Sequence, residues 1–306
     1  MTSSDIHFDF RGGSVGAVVV FYFADAACVA RVNRLVGEGL RVVVVDNTPS
    51  ARVPEGDEQV DASVRVIANL ANLGIAAALN QGIDALLALG CRWALLFDQD
   101  SEPSSHLLHE LAGQAHRLAQ ADPSVALVGP AYDDPRLGGV APFVRFRPWV
   151  LERVAASGDQ PIDVDFLITS GSCVNLLTWH RIGPMDAALF IDFVDLEWCI
   201  RASRKGYRVV GIPWLSMRHE LGGEPLKVFG RAYPSHSAAR HYYLFRNAIA
   251  LFLRPGIPWS WKSSEMVKLP VRLVLYGMFF KPRMLHMKMA FKGMLDGARN
   301  KLGPLR

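Results

Sequence analysis

Residues 15–23 (VGAVVVFYF) and 41–45 (RVVVV) are short β-branched runs, each followed by polar or turn residues. Residues 26–38 between them carry apolar positions at helical spacing, so the pattern predicts strand, helix, strand. A further strand is predicted over 64–67, a helix over 75–89 ended by Gly90, and a strand over 93–97 that runs straight into Asp98. Runs this apolar belong in a sheet covered on both faces, so the first hundred residues predict a parallel sheet flanked by helices. A helix over 106–120 and a strand over 125–128 follow. Residues 129–160, rich in Pro, Gly and Arg, then read as an irregular excursion. Strands over 164–169 and 207–212 and a helix over 194–205 capped by Gly206 restore the alternation, leading to Trp214 and His219. From about residue 235 the pattern turns helical, with interruptions expected at Pro255, Pro258, Pro270 and Pro282. The expected organisation is an α/β domain over 1–235 and a helical extension over 236–306.

Composition adds little to this picture and charge adds more. Half of the 306 residues are apolar, enough for a substantial core. Cys28, Cys91, Cys173 and Cys199 stand apart and form no CxxC pair, which argues against a zinc knuckle or a disulfide framework and for reduced, buried thiols. Residues 1–13 lack the basic and apolar regions of a signal peptide, and the apolar runs at 15–23 and 269–280 are too short to span a bilayer. The net charge of +4 hides an asymmetry: residues 240–306 hold 13 Lys and Arg against Glu265 and Asp296, a net +11, which leaves −7 on the first 239 residues. The cations of the tail alternate with large apolar groups, Tyr242 to Phe245 beside Arg240 and Arg246, and residues 284–291 beside Arg283, Lys288 and Lys292. Such a basic amphipathic segment fits an anionic membrane surface. The competing reading is a helix that packs its apolar face on the α/β domain and leaves its lysines in water. No recognised nucleic-acid module accompanies the charge, so nucleic acid is not an expected partner.

Ligands of open α/β sheets bind beyond the carboxyl ends of the strands. Three polar groups stand at such places: Asp46-Asn47, Asn72-Leu73-Gly74 at the entry to a helix, and Asp98-Gln99-Asp100. A strand-end acid accepts hydrogen bonds from a base or ribose, and an Asn-x-Gly turn at a helix N-terminus offers amides to an anion. Two carboxylates one residue apart suit a hard divalent ion that also bridges phosphate oxygens. Each signal alone is weak, since Asp before Ser101-Glu102-Pro103 is also ordinary turn and helix-cap chemistry. Asp-x-Asp after a strand is found, too, in phosphatases that use the first Asp as nucleophile, although they place it after the first strand.

Four segments in order, VVVVDN (42–47), NLGIAAALNQGI (72–83), LLFDQDS (95–101) and FIDFVDLEWCIRASRKGYRV (190–209), with His219 beyond them, make the chain resemble family 2 glycosyltransferases of the GT-A fold. The DQDS form and the aromatic-Asp-x-x-Asp-x-Glu-Trp-Cys form carry a narrower resemblance, to bacterial rhamnosyltransferases of O-antigen and exopolysaccharide assembly. The resemblance covers roughly residues 15–225. It implies that Asp46 and Asn72, with Gly74 in the same turn, contact the nucleoside of a nucleotide-sugar donor. Asp98 would serve the ribose or a metal, Asp100 the metal and donor diphosphate, and His219 would be a further ligand to Mg2+ or Mn2+.

Inverting transfer also needs a carboxylate that takes the proton of the acceptor hydroxyl. Asp192, Asp195 and Glu197 are the candidates, and counting back from Arg201 puts Asp195 on the family's base. Many members carry an acid immediately before it where this chain has Val194, so Asp192 stays open as an alternative. Asp195 should lie in the first turn of its helix, where the dipole favours the charged form. Trp198, on the same helix face, is read either as a sugar platform or as core. Thr169-Ser170-Gly171-Ser172 reads either as an acceptor-side turn or as a plain loop. The resemblance implies dTDP-L-rhamnose as donor, a lipid-linked oligosaccharide as acceptor, and a cytoplasmic enzyme held at the inner face of the cell membrane. A transferase using another nucleotide sugar, UDP-Gal or UDP-GlcNAc, and a non-catalytic nucleotide-sugar-binding protein are the remaining alternatives.

Overall fold

The computed structural model describes residues 9–50, 59–136, 138–218, 223–228 and 231–305. The predicted strand–helix alternation appears as β1 (Val15–Phe21), α1 (Ala26–Gly37), β2 (Arg41–Asp46), β3 (Arg65–Ala68), α2 (Ile75–Ala88), β4 (Trp93–Asp98), α3 (Ser105–Ala121) and β5 (Val125–Asp134). The short strands β6 (Gly139–Val140), β7 (Phe143–Phe146), β8 (Leu151–Val154), β9 (Ile162–Val164) and β10 (Ser172–Asn175) follow. After these come α4 (Leu176–Ile182), α5 (Val194–Arg204) and β11 (Arg208–Arg218). A hairpin of β12 (Gly223–Val228) and β13 (Arg231–Ser235) leads to α6 (Ala238–Leu253), α7 (Trp259–Phe279) and α8 (Arg283–Ala298).

The main sheet has the order β3-β2-β1-β4-β10-β5-β11-β9, with β6 beside β5. Strands β1 to β4 are mutually parallel where they pair, and β10 enters antiparallel between β4 and β5. Both faces are covered. Val18, Val20, Val43, Val45 and Leu96 pack toward α2, α4 and α5, and the alternate residues Ala17, Val19, Val42, Val44, Leu95 and Phe97 pack toward α1 and α3. Two-sided burial is why these strands read as unbroken apolar runs.

Three local expectations change. The stretch expected to be irregular holds the second half of β5 and the β7–β8 hairpin. β5 passes through Pro130 because its partner β11 is bulged between Ile212 and Ser216, where a missing amide is tolerated. The strand expected over 164–169 ends at Val164, with one bridge from Phe166 to Val144, and the central strand β10 begins instead at Ser172, the last residue of the hydroxyl-rich turn, and takes in the three residues after it. Helix α7 runs through Pro270, which stands at an exposed position and cannot donate to the carbonyl one turn earlier.

Helix α6, whose aromatic residues were read as part of an amphipathic surface, is core. Tyr242, Tyr243, Phe245, Arg246 and Asn247 are all buried. α8 lies close against it because a Cβ at Gly293 or Gly297 would strike the backbone of Tyr242 or Arg246. Arg246 and Asn247 point into the turn before α5. The Asn247 side-chain amide donates to the carbonyls of Leu189 (2.8 Å), Ile191 (2.7 Å) and Asp192 (3.0 Å). Arg246 donates to the carbonyls of Ala188 (3.2 Å), Leu189 (2.7 Å) and Gly303, and the Gly303 amide returns to Ala188. Buried carbonyls left without donors cost about 1–3 kcal/mol each. Asn247→Ala should therefore lower the unfolding free energy by about 2–4 kcal/mol in urea titrations. The exposed-site control Lys288→Ala should change it by less than about 0.5 kcal/mol.

Candidate active site

The polar groups singled out at the strand ends share one edge of the sheet. Val20 of β1 is level with Asp98 of β4, and Phe21 is level with Asp46 of β2, so the two carboxylates flank the end of β1. Asp46 turns the chain by accepting the Thr48 amide (2.8 Å). Asn47 is buried, donates to the Gly74 carbonyl (3.1 Å) and accepts from Asn69, which pairs reciprocally with Gln81. The Asn72 side chain accepts the Gly74 amide (3.0 Å), and the Ile75 amide donates to the Phe190 carbonyl (2.8 Å). The Gly74 and Ile75 amides are thus used within the protein. Gly74 has φ +85°, and a Cβ there would meet the Phe190 oxygen at 2.6 Å, so only glycine lets this turn rest on the segment before α5.

The acidic turn is tied down through its neighbours. Gln99 accepts the Tyr22 amide of the β1 exit (2.7 Å), and Ser101 shares a buried hydroxyl contact with Ser170 (2.7 Å). Ser170 also accepts the Asp98 amide (3.4 Å). Asp98 is partly buried and Asp100 exposed. A hard divalent ion that keeps waters and phosphate oxygens in its shell fits two such carboxylates one residue apart. Among the described residues no three His, Cys, Asp or Glu gather at one point, and His219 lies outside the described residues.

The other half of the site is the turn 190–193. Phe190, Asp192 and Phe193 have φ of 67°, 64° and 63°, a region that costs non-glycine residues about 1 kcal/mol each. The Arg246 and Asn247 donors hold it there. Asp192 is folded inward, its Oδ1 paired with Arg240 (3.1 and 3.2 Å) and its Oδ2 buried without a hydrogen-bond partner among the described residues. Asp195, in the first turn of α5, accepts the Leu196 amide (2.8 Å), and the backbone of Thr169, the residue before Ser170, lies near enough to favour its charged form. The turn 169–172 therefore bonds the amide of Asp98 and passes near Asp195. Glu197 is spent on Arg201 (2.9 Å), as its spacing indicates.

Helix position alone argued for an acidic Asp195. The structure gives the opposite direction. Burial pushes the Asp195 carboxyl up to about 6, and the charge of Asp192 adds to the rise, against the Leu196 and Thr169 amides. Burial also raises Asp192, opposed by Arg240. Asp195 lines a cavity of about 540 Å³ together with Phe193, Arg153 of the hairpin, and Trp261, Lys268 and Arg272 of α7. Trp198 is not part of it. It is 1% exposed, stacks on Trp179 and donates to the Gly183 carbonyl, so it is core.

Arg240, Asn247 and the α7 wall escaped the sequence reading because they lie 45 or more residues beyond Asp195. One signal was present: Arg246-Asn247 is a polar pair inside the otherwise apolar run YYLFRNAIALFL. The four cysteines are buried and unpaired. The phosphatase alternative needs its acidic turn after the first strand, whereas here it follows β4.

Comparison with known proteins agrees with this fold. Residues 26–138 match the family model described as glycosyl transferase family 2. The dTDP-rhamnosyl transferase RfbF of Shigella flexneri is 29% identical over 293 residues, 95% of this chain and 97% of that protein. Among solved structures, GalNAc-T7 with UDP, GalNAc and Mn2+ aligns at a TM-score of 0.55 and 13% identity over 94% of this chain, which spans 56% of that one. S. aureus TarS 1-349 in complex with UDP-GlcNAc aligns at 0.54 and 11% identity, covering 93% of this chain and 81% of that one. At such identities the structures speak for the fold, and they share the GT-A arrangement. Residues 26–138 thus match the family 2 glycosyltransferase model, and along nearly its whole length the chain is similar to a dTDP-rhamnosyl transferase, which together support a glycosyltransferase.

Proposed function

We propose that this glycosyltransferase moves L-rhamnose from dTDP-L-rhamnose, with inversion, onto a lipid-linked glycan acceptor in cell-surface polysaccharide synthesis. The observation that supports the reading is the 169–172 turn, which bonds the acidic turn through Ser170 and passes near Asp195, as a base and a metal site serving one crevice require. The likeness to the Shigella relative along nearly its whole length supports the sugar and the nucleotide.

In this reading Asp46 and Asn72 hold the nucleoside, with Gly74 shaping the turn beneath it. Asp98 and Asp100, with His219, hold Mg2+ or Mn2+. Bound there, the ion would neutralise the charge that grows on the departing diphosphate. Asp195 takes the proton of the acceptor hydroxyl, and the 540 Å³ cavity beside it receives the acceptor. Asp192, engaged by Arg240, is the weaker candidate base and acts on Asp195 through its charge. A pKa near 6 leaves Asp195 largely ionised at neutral pH while making it a stronger base than an ordinary carboxylate.

The assignment is tested by titrating dTDP-L-rhamnose, UDP-galactose and UDP-GlcNAc with Mg2+ or Mn2+ and following the melting temperature. The rhamnose donor should stabilise, by about 2–3 kcal/mol at a hundredfold excess over Kd. Equal or greater stabilisation by a UDP-sugar would refute the donor, and Asp100→Ala should abolish the metal-dependent part.

Asp195→Asn should retain donor binding and lose turnover by about a thousandfold or more, read as product per enzyme. Because folding raises the pKa of this carboxyl, ionising it costs stability as pH climbs from about 4 to about 6. The same variant should therefore be more stable than wild type at pH 7, by up to about 3 kcal/mol, and equal to it below pH ~4.

The pH profile follows from the same shift. Turnover should rise with pH through about 6 and level off above it. Asp192→Asn removes a charge that raises Asp195, so its acidic limb should move to lower pH.

A further inference from the structure

We propose that the outward face of α7 and α8 docks the protein on an anionic lipid bilayer. A helix packed on a protein core normally turns its polar side to water. On α7 every fully exposed position is apolar: Trp259, Met266, Val267, Pro270, Val271, Val274 and Met278. From Val267 to Met278 these recur at the helical period and are 49–69% exposed wherever a valine or methionine stands. The polar residues of the helix lie elsewhere, with Glu265, Lys268 and Arg272 in the wall of the Asp195 cavity.

α8 repeats the arrangement with charge added. His286, Ala290, Gly293 and Gly297 form its buried side, while Met284, Lys288, Phe291 and Leu295 share the opposite one. The exposed cations of this region are Lys281, Arg283, Lys288, Arg299 and Lys301. Its two acids are occupied, Glu265 by Lys268 and Arg272 and Asp296 by Lys292. The surface thus offers apolar side chains and positive charge with no exposed acid.

That combination selects the occupant. Pairing with a second copy through the same face would set like charges against each other, whereas an anionic bilayer neutralises the cations and takes up the apolar stripe. No helix among the described residues is long and apolar enough to cross a membrane, so α7 and α8 lie along the interface. α7 carries Lys268 and Arg272 about a third of a turn from its apolar stripe, so the docked face adjoins the cavity at Asp195. The inference concerns placement and stands whichever sugar is transferred.

The test is co-sedimentation of the full chain with vesicles of phosphatidylcholine, with and without phosphatidylglycerol. Phosphatidylglycerol should raise the bound fraction at least about tenfold, and high salt should reverse most of the gain. Val271→Glu with Val274→Glu, and separately Lys281→Glu with Lys288→Glu, should each cut binding about tenfold or more. Both pairs are exposed, and unchanged melting curves with unchanged donor-induced stabilisation on the same samples separate a failed docking face from a failed donor assignment. Wild-type protein that stays in the supernatant with both vesicle types would overturn the proposal. So would either double variant binding as wild type does, or a dimer in light scattering that Val271→Glu with Val274→Glu dissolves.

Discussion

The arrangement of the site rests on a cluster of backbone carbonyls and the two side chains that satisfy them. The turn before α5 takes three left-handed residues that are not glycine, and its carbonyls at 188, 189, 191 and 192 point inward. Left alone, such a turn would relax or hydrate. Arg246 and Asn247, at 0% exposure, supply donors from a helix about 55 residues further along the chain. The C-terminal helices are therefore part of what gives Asp192 and Asp195 their positions. The same turn accepts the Ile75 amide through Phe190 and so also seats α2 and the Asn72-Gly74 corner.

Magnitudes decide the state of Asp195. A helix N-terminus favours a carboxylate by about 0.3–1 kcal/mol at an exposed site. Burial against Phe193, Leu196 and the α7 wall, with Asp192 as a charged neighbour, moves the pKa from 3.8 to about 6, a penalty of about 3 kcal/mol. Desolvation wins, and the acid becomes a better base. The strained turn and the raised carboxyl are both stability spent at one place, which is where function commonly concentrates strain.

Much of the fold was legible because the chain states it locally. Val15–Phe21, Arg41–Asp46 and Trp93–Asp98 announce themselves as β-branched or apolar runs, and Gly90 and Gly206 mark helix ends. The misreadings share a cause. β10 is a four-residue strand, SCVN, too short and too polar to show a period, and it becomes a strand only because β4 and β5 lie on either side of it. Pro130 and Pro270 look like breaks but occupy a strand opposite a bulge and an exposed helix face, and neither ends its element. Tyr242, Tyr243 and Phe245 looked like a surface because sequence gives the period of a helix and not what covers it.

The sequence by itself determined the α/β alternation, the acidic turn after β4, the two carboxylates before and within α5, and the excess of cations in the tail. These depend on residue type and short spacing. The tertiary structure alone decided which amides stay available at the Asn72-Gly74 corner, that Arg240 pairs with Asp192, that burial lifts Asp195, and that α6 is core while α7 shows water an apolar face. Each depends on groups far apart in the chain meeting in space, and short-range periodicity carries no record of such meetings.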